Sequence, residues 1–89
     1  MQTATDTPTI REAYDIIRGH NGDDWVAIAT VQAVTGMRRD ELVAAITEIA
    51  VKDDNFRAVP EVFPWRVTEE DRRYAVRIGG VDCHRMAWF

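Results

Sequence analysis

Apolar positions in this chain change their period along its length, and the changes mark out its elements. Ile10, Ala13, Tyr14 and Ile17 fall at i, i+3, i+4 and i+7, the stripe of an amphipathic helix. Thr7-Pro8 supplies a cap and a first-turn proline, and Thr9 with Glu12 has the spacing of a capping box. Gly19 is expected to stop this helix, with His20 to Asp24 as a turn. Trp25 to Ile28 is a short apolar stretch, followed by a brief helix over Thr30 to Val34 that ends at Thr35-Gly36. A second strong helix is predicted from Arg38 to about Lys52, with Leu42, Ala45, Ile46 and Ile49 on its buried stripe and Asp53-Asp54-Asn55 ending it.

The remainder reads differently. Asn55 to Glu61 has the composition of an edge strand, with a proline near its end. Phe63-Pro64-Trp65 is an apolar loop, and Thr68 followed by Glu69, Glu70 and Asp71 is a cap with an acidic first turn. A third helix is therefore expected from Glu69 to Ile78, terminated by Gly79-Gly80, with a last strand over His84 to Phe89. Two short helices around a glycine turn, then strand, long loop and strand, is winged-helix order. The expected fold class is α+β: a three-helix helix-turn-helix core, a small antiparallel sheet and a short helix inserted in the wing. Residues 1–8 are expected to be a tail and 9–89 a single domain.

The stretch Trp25 to Ile49 resembles the core of winged helix-turn-helix domains. The tail, with Thr68-Glu69-Glu70-Asp71-Arg72 leading to Gly79-Gly80-Val81-Asp82-Cys83-His84, resembles small actinobacterial and actinophage proteins that carry Thr-x-x-Asp-Arg and Gly-Gly-x-Asp-x-His. The first resemblance implies DNA binding by analogy of fold; the second implies no function.

Charge complicates that implication. The 89 residues carry a net charge of −4, and residues 1–54 hold five basic and ten acidic side chains. Such a field repels a phosphate backbone, so DNA affinity requires a local patch. Outward positions of the predicted recognition helix include Asp40, Glu41, Ala44, Thr47, Glu48 and Val51, beside Val43. Only Thr47 among them is an ordinary base reader. Arg38 and Arg39 at its start and Lys52 at its end, with Arg66, Arg72 and Arg73 in the wing, are the candidate DNA contacts; helix-local ion pairs are the competing role for the wing arginines. Phe63 and Trp65 are expected to pack back onto the core; failing that, they form a protein contact with Val43, Ala44 and Val51 as the other apolar face.

Chemistry-bearing residues are few. Cys83 and His84 are adjacent, so on a strand they point to opposite faces and do not form a nucleophile–base pair. One cysteine and two histidines lack metal-ligand spacing, and the paired aspartates sit where turns and caps favour them. No enzyme, metal or cofactor is expected. His84 is expected to hydrogen-bond a carboxylate, Asp82 or Asp71. A single cysteine and the lack of a membrane-length apolar run point to a cytoplasmic protein with no membrane partner. Two readings remain open: a small DNA-binding regulator or accessory factor on double-stranded DNA, and an interaction module that holds a protein partner or its own copy as a homodimer.

Overall fold

A computed structural model describes residues 9–89. Within them the order is α1 (Ile10–Asn21), β1 (Val26–Ala27), α2 (Ile28–Thr35), α3 (Arg39–Lys52), β2 (Phe56–Val59), a 3-10 turn (Pro64–Arg66), α4 (Glu69–Arg73), β3 (Val76–Ile78), β4 (Val81–Cys83) and β5 (Arg85–Trp88). This is an α+β fold with two small antiparallel sheets. The strand β5 lies centrally between β1 and β2, with Met86 opposite both Val26 and Ala58, while β3 and β4 form a separate hairpin.

The capping box of α1 is present: Thr9 Oγ1 accepts from the Glu12 N–H at 3.1 Å, and Glu12 Oε1 accepts from the Thr9 N–H at 2.9 Å. Thr7-Pro8 lies outside the described residues. Gly19 does not stop the helix, which runs on to Asn21 and ends at Gly22. There a φ of 69° gives the left-handed cap that only a side-chain-free residue adopts without strain. Gly19 keeps helical backbone, so its lack of a side chain weakens the helix locally without ending it.

The larger correction concerns residues 69–80. The expected helix over Glu69–Ile78 ends at Arg73, and the chain turns at Tyr74 into β3. Gly79-Gly80 is a hairpin turn instead of a helix terminator. Its φ values of 61° and 80° are both positive, the geometry that matches the twist of two flanking strands in a two-residue loop. Val76 is buried, Arg77 exposed and Ile78 half-buried, an alternation of period 2.

One core joins all of this. Tyr14 from α1, Ile28 and Val31 from α2, Leu42 and Ile46 from α3, Val76 from β3 and Met86 from β5 are fully buried. Of the stripe expected on α3, Leu42 and Ile46 are buried, while Ala45 and Ile49 are half-buried at its margin. Aromatic edges close the open side of the core: Trp88 meets Tyr14 and Phe56 with centroids 5.2 and 4.9 Å apart, both edge-to-face. Among the described residues no helix is long and apolar enough to cross a membrane.

Candidate interaction face

The segment between β2 and α4 holds the least expected arrangement in the fold. Pro60 ends β2 because it has no N–H to donate. The next residue, Glu61, donates its backbone N–H to Nδ1 of His84 at 3.1 Å. His84 therefore binds a backbone amide, not the carboxylate of Asp82 or Asp71 expected for it, and its Nδ1 acts as acceptor. It sits where β4 passes into β5, and its own N–H and carbonyl join Val59 and Ile28.

The Glu61 side chain turns inward and is only 7 % exposed. Its Oε2 accepts from Arg85 Nε at 2.7 Å. Its Oε1 lies 3.3 Å from Arg66 Nε but receives no aligned hydrogen bond, which leaves a buried acceptor unsatisfied. A carboxylate is buried when a cation accompanies it, and Arg85 on the central strand supplies that cation.

Beyond Glu61 the loop faces solvent with apolar side chains. Val62 is 79 % exposed, Phe63 43 % and Trp65 78 %. The expected packing of Phe63 and Trp65 onto the core does not occur. Pro64 opens a 3-10 turn, closed by Arg66 N–H to the Phe63 carbonyl, and this turn carries both rings outward. They lean on each other with centroids 5.0 Å apart. Beside them lies an open cleft of about 480 Å³ with Trp25, Val59, Pro60, Val62 and Phe63 on its apolar walls and Glu61, Arg66 and Arg85 among its polar lining. Trp65 stands next to this cleft without lining it.

The basic residues proposed as DNA contacts are mostly engaged by their neighbours. Arg38 holds Asp40 through Nη2 at 2.9 Å and reaches Glu41 at 3.9 Å; the hydrogen bond to Asp40 raises the arginine's pKa and holds the aspartate below the usual carboxylate range. Lys52 pairs with Glu48 at 3.8 Å, Arg66 with Glu61, and Arg73 with Glu70 at 3.7 Å. Arg39 donates Nε to the Arg73 carbonyl at 2.7 Å, which brings the start of α3 against the end of α4. Arg72 has no ion-pair partner among the described residues. The Thr47 hydroxyl donates back to the Val43 carbonyl at 2.7 Å.

No protein-family model matches the chain, and neither a curated protein nor a solved structure matches it at a significant level. The site therefore stands on its geometry.

The apolar candidates on α3 do not join the exposed loop into one surface described by a shared cleft. Val43 is half-buried against the core, and Ala44 and Val51 are exposed. Cys83 is buried at the end of β4, and burial pushes its thiol pKa up. Among the described residues no three His, Cys, Asp or Glu side chains converge as metal ligands. Sequence reasoning missed Glu61 and Trp25 as parts of a site. The available signal was one acid inside the apolar run Val59-Pro60-Glu61-Val62-Phe63, a pattern that favours a buried, paired carboxylate.

Proposed function

We propose that this chain is a winged helix acting as a non-catalytic protein-interaction module, with Val62, Phe63, Trp65 and the adjoining cleft as its partner face. Support for the winged helix comes from the element order α1-β1-α2-α3-β2-β5 and the sheet order β1-β5-β2, with α4 and the β3–β4 hairpin inserted in the wing.

The observation that carries the interaction role is the exposure of Trp65 at 78 %, flanked by Val62 and Phe63. Contiguous exposed aromatic and aliphatic side chains beside an apolar cleft are costly in water and recur where another protein covers them. The weakness of the basic surface agrees: Arg38, Lys52, Arg66 and Arg73 are paired with acids, and Asp40, Glu41 and Glu48 stand on the exposed face of α3. A non-catalytic role fits the buried Cys83 thiol and the engagement of His84 with the backbone.

Chemical cross-linking of the full chain in an extract of its own cells, read by mass spectrometry, tests the proposal. A neighbour or second copy should be linked near residues 62–66 of the wild-type chain and lost from Trp65→Ala. A cross-link pattern indifferent to Trp65 rules the interaction face out.

A second reading, a DNA-binding regulator, keeps one observation in its favour. The Arg39–Arg73 contact gathers Arg39, Arg72 and Arg73 at the start of α3, the end that a recognition helix presents to DNA.

A further inference from the structure

We infer that the partner of this face is a second copy of the chain, each copy inserting its Trp65 into the other's cleft. This rests on the interaction reading above and names its partner.

The cleft states what it would hold. Its walls are apolar (Trp25, Val59, Pro60, Val62, Phe63), and Glu61 Oε1 is a buried acceptor with no aligned donor. The occupant is therefore an apolar body carrying a hydrogen-bond donor. A lysine or arginine would bring its charge against Arg66 and Arg85, which already flank the Glu61 carboxylate, so the donor is neutral. An indole combines a large apolar body with one N–H and no acceptor. The chain itself offers one in the right state. Trp65 is exposed, whereas Trp25, Trp88 and Tyr74 are half-buried and Tyr14 is buried.

The placement of the two features favours exchange between identical copies. Phe63 forms a wall of the cleft and also touches Trp65, with ring centroids 5.0 Å apart, so the projection and the recess are immediate neighbours. A two-fold axis passing beside Phe63 seats both Trp65 rings at once, because an isologous contact made in one direction is made in the other. Two buried tryptophans with their cleft walls come to about 1,000 Å², the low end for specific association. The net charge of −4 on each copy opposes approach. The resulting dimer is weak, with a dissociation constant of order 10–100 µM.

Sedimentation equilibrium of the full chain, from about 1 µM to about 500 µM, tests this with wild type, Trp65→Ala and Trp65→Phe. Thermal melts at the dilute end establish that each variant is folded. Wild type should pass from monomer to dimer across the range. Trp65→Ala should weaken association by about 30-fold or more, the loss of a hot-spot side chain. Trp65→Phe keeps an aromatic body without the N–H and should weaken it about 10-fold, because the donor to a buried carboxylate is gone. A Trp65→Phe chain that dimerises as tightly as wild type overturns the Glu61 seat. A wild-type chain monomeric throughout overturns self-pairing. If such a monomer still shows Trp65-dependent cross-links to another protein, self-pairing alone has failed; if it shows none, the interaction reading has failed with it.

Discussion

The indole Nε1–H of Trp88 donates to Asp53 Oδ2 at 2.9 Å, tying the last strand to the residue that ends α3. Asp53 Oδ1 accepts in addition from the Asn55 N–H at 2.9 Å. Both bonds favour the carboxylate, first the one from Trp88, and they hold its pKa below the ordinary value. A folded pKa below the unfolded one, which is about 3.9 for aspartate, gives a stabilisation present in full at neutral pH. That stabilisation disappears as pH falls through the folded value. Melting temperatures of wild type and Asp53→Asn should therefore differ most near neutrality and converge as pH falls below about 3. A gap of constant size across the titration would show that the Asp53 charge does not hold Trp88 in place.

Trp65 and Leu42 should behave oppositely when truncated. Leu42 is fully buried between α3 and the rest of the core, so Leu42→Ala should cost about 2–5 kcal/mol by urea titration. Trp65 is mostly exposed, and at dilutions where the chain is monomeric Trp65→Ala should change stability by no more than about 0.5 kcal/mol. A loss of several kcal/mol at Trp65 would place its ring in the core, as the sequence suggests.

The helical core was legible because its signals are local. Thr9 with Glu12 caps α1, and the spacing of Leu42 and Ile46 marks the inner face of α3. The wing was not legible to the same degree, because its apolar residues satisfy two periods at once. Val76, Ile78, Val81 and Cys83 follow a capped acidic turn that starts a helix, and five residues of helix do form there. Tertiary packing decides the rest: Val76 is buried against the core and Gly79-Gly80 takes the positive φ values of a hairpin. Alternating β-branched residues around a Gly-Gly pair are the sequence signal for that hairpin. The site was harder still. Whether Phe63 and Trp65 point in or out depends on the 3-10 turn at Pro64, and the pairing of Glu61 with Arg85 spans 24 positions.

The DNA reading has its own signature. If Arg39, Arg72 and Arg73 neutralise three phosphates, the logarithm of the binding constant should fall with the logarithm of salt at a slope near −2.7. Arg39→Ala with Arg72→Ala should then flatten it by up to about 1.8. On the interaction reading, fluorescence anisotropy with a labelled duplex shows no saturable binding even at low salt. A steep salt slope that these two substitutions abolish would restore the regulator.

Cys83 should report unfolding. Its side chain is buried, with Sγ 3.6 Å from the Val81 carbonyl, and burial raises its pKa, which lowers the thiolate fraction at neutral pH. A disulfide reagent should label it slowly in the folded protein and at once in denaturant. Rapid labelling without denaturant would mean that the β3–β4 hairpin opens readily from the core.

The most informative stability experiment concerns the Glu61 cluster, where two arginines meet one carboxylate in different surroundings. Arg85 is largely buried and bonds Oε2 at 2.7 Å, whereas Arg66 is half in solvent and lies 3.3 Å from Oε1 without an aligned bond. Removing Arg85 strands a buried charge, and Arg85→Met should cost about 3 kcal/mol. Removing Arg66 takes away an exposed, poorly aligned ion pair, and Arg66→Met should cost about 1 kcal/mol at most. Adding Glu61→Leu to Arg85→Met removes the stranded charge and should recover much of the loss, a coupling that a double-mutant cycle measures directly. Equal costs at Arg66 and Arg85 would show that the two cations share the carboxylate evenly. Glu61 Oε1 would then already be satisfied within the chain, and the acceptor that a partner's indole needs would not exist.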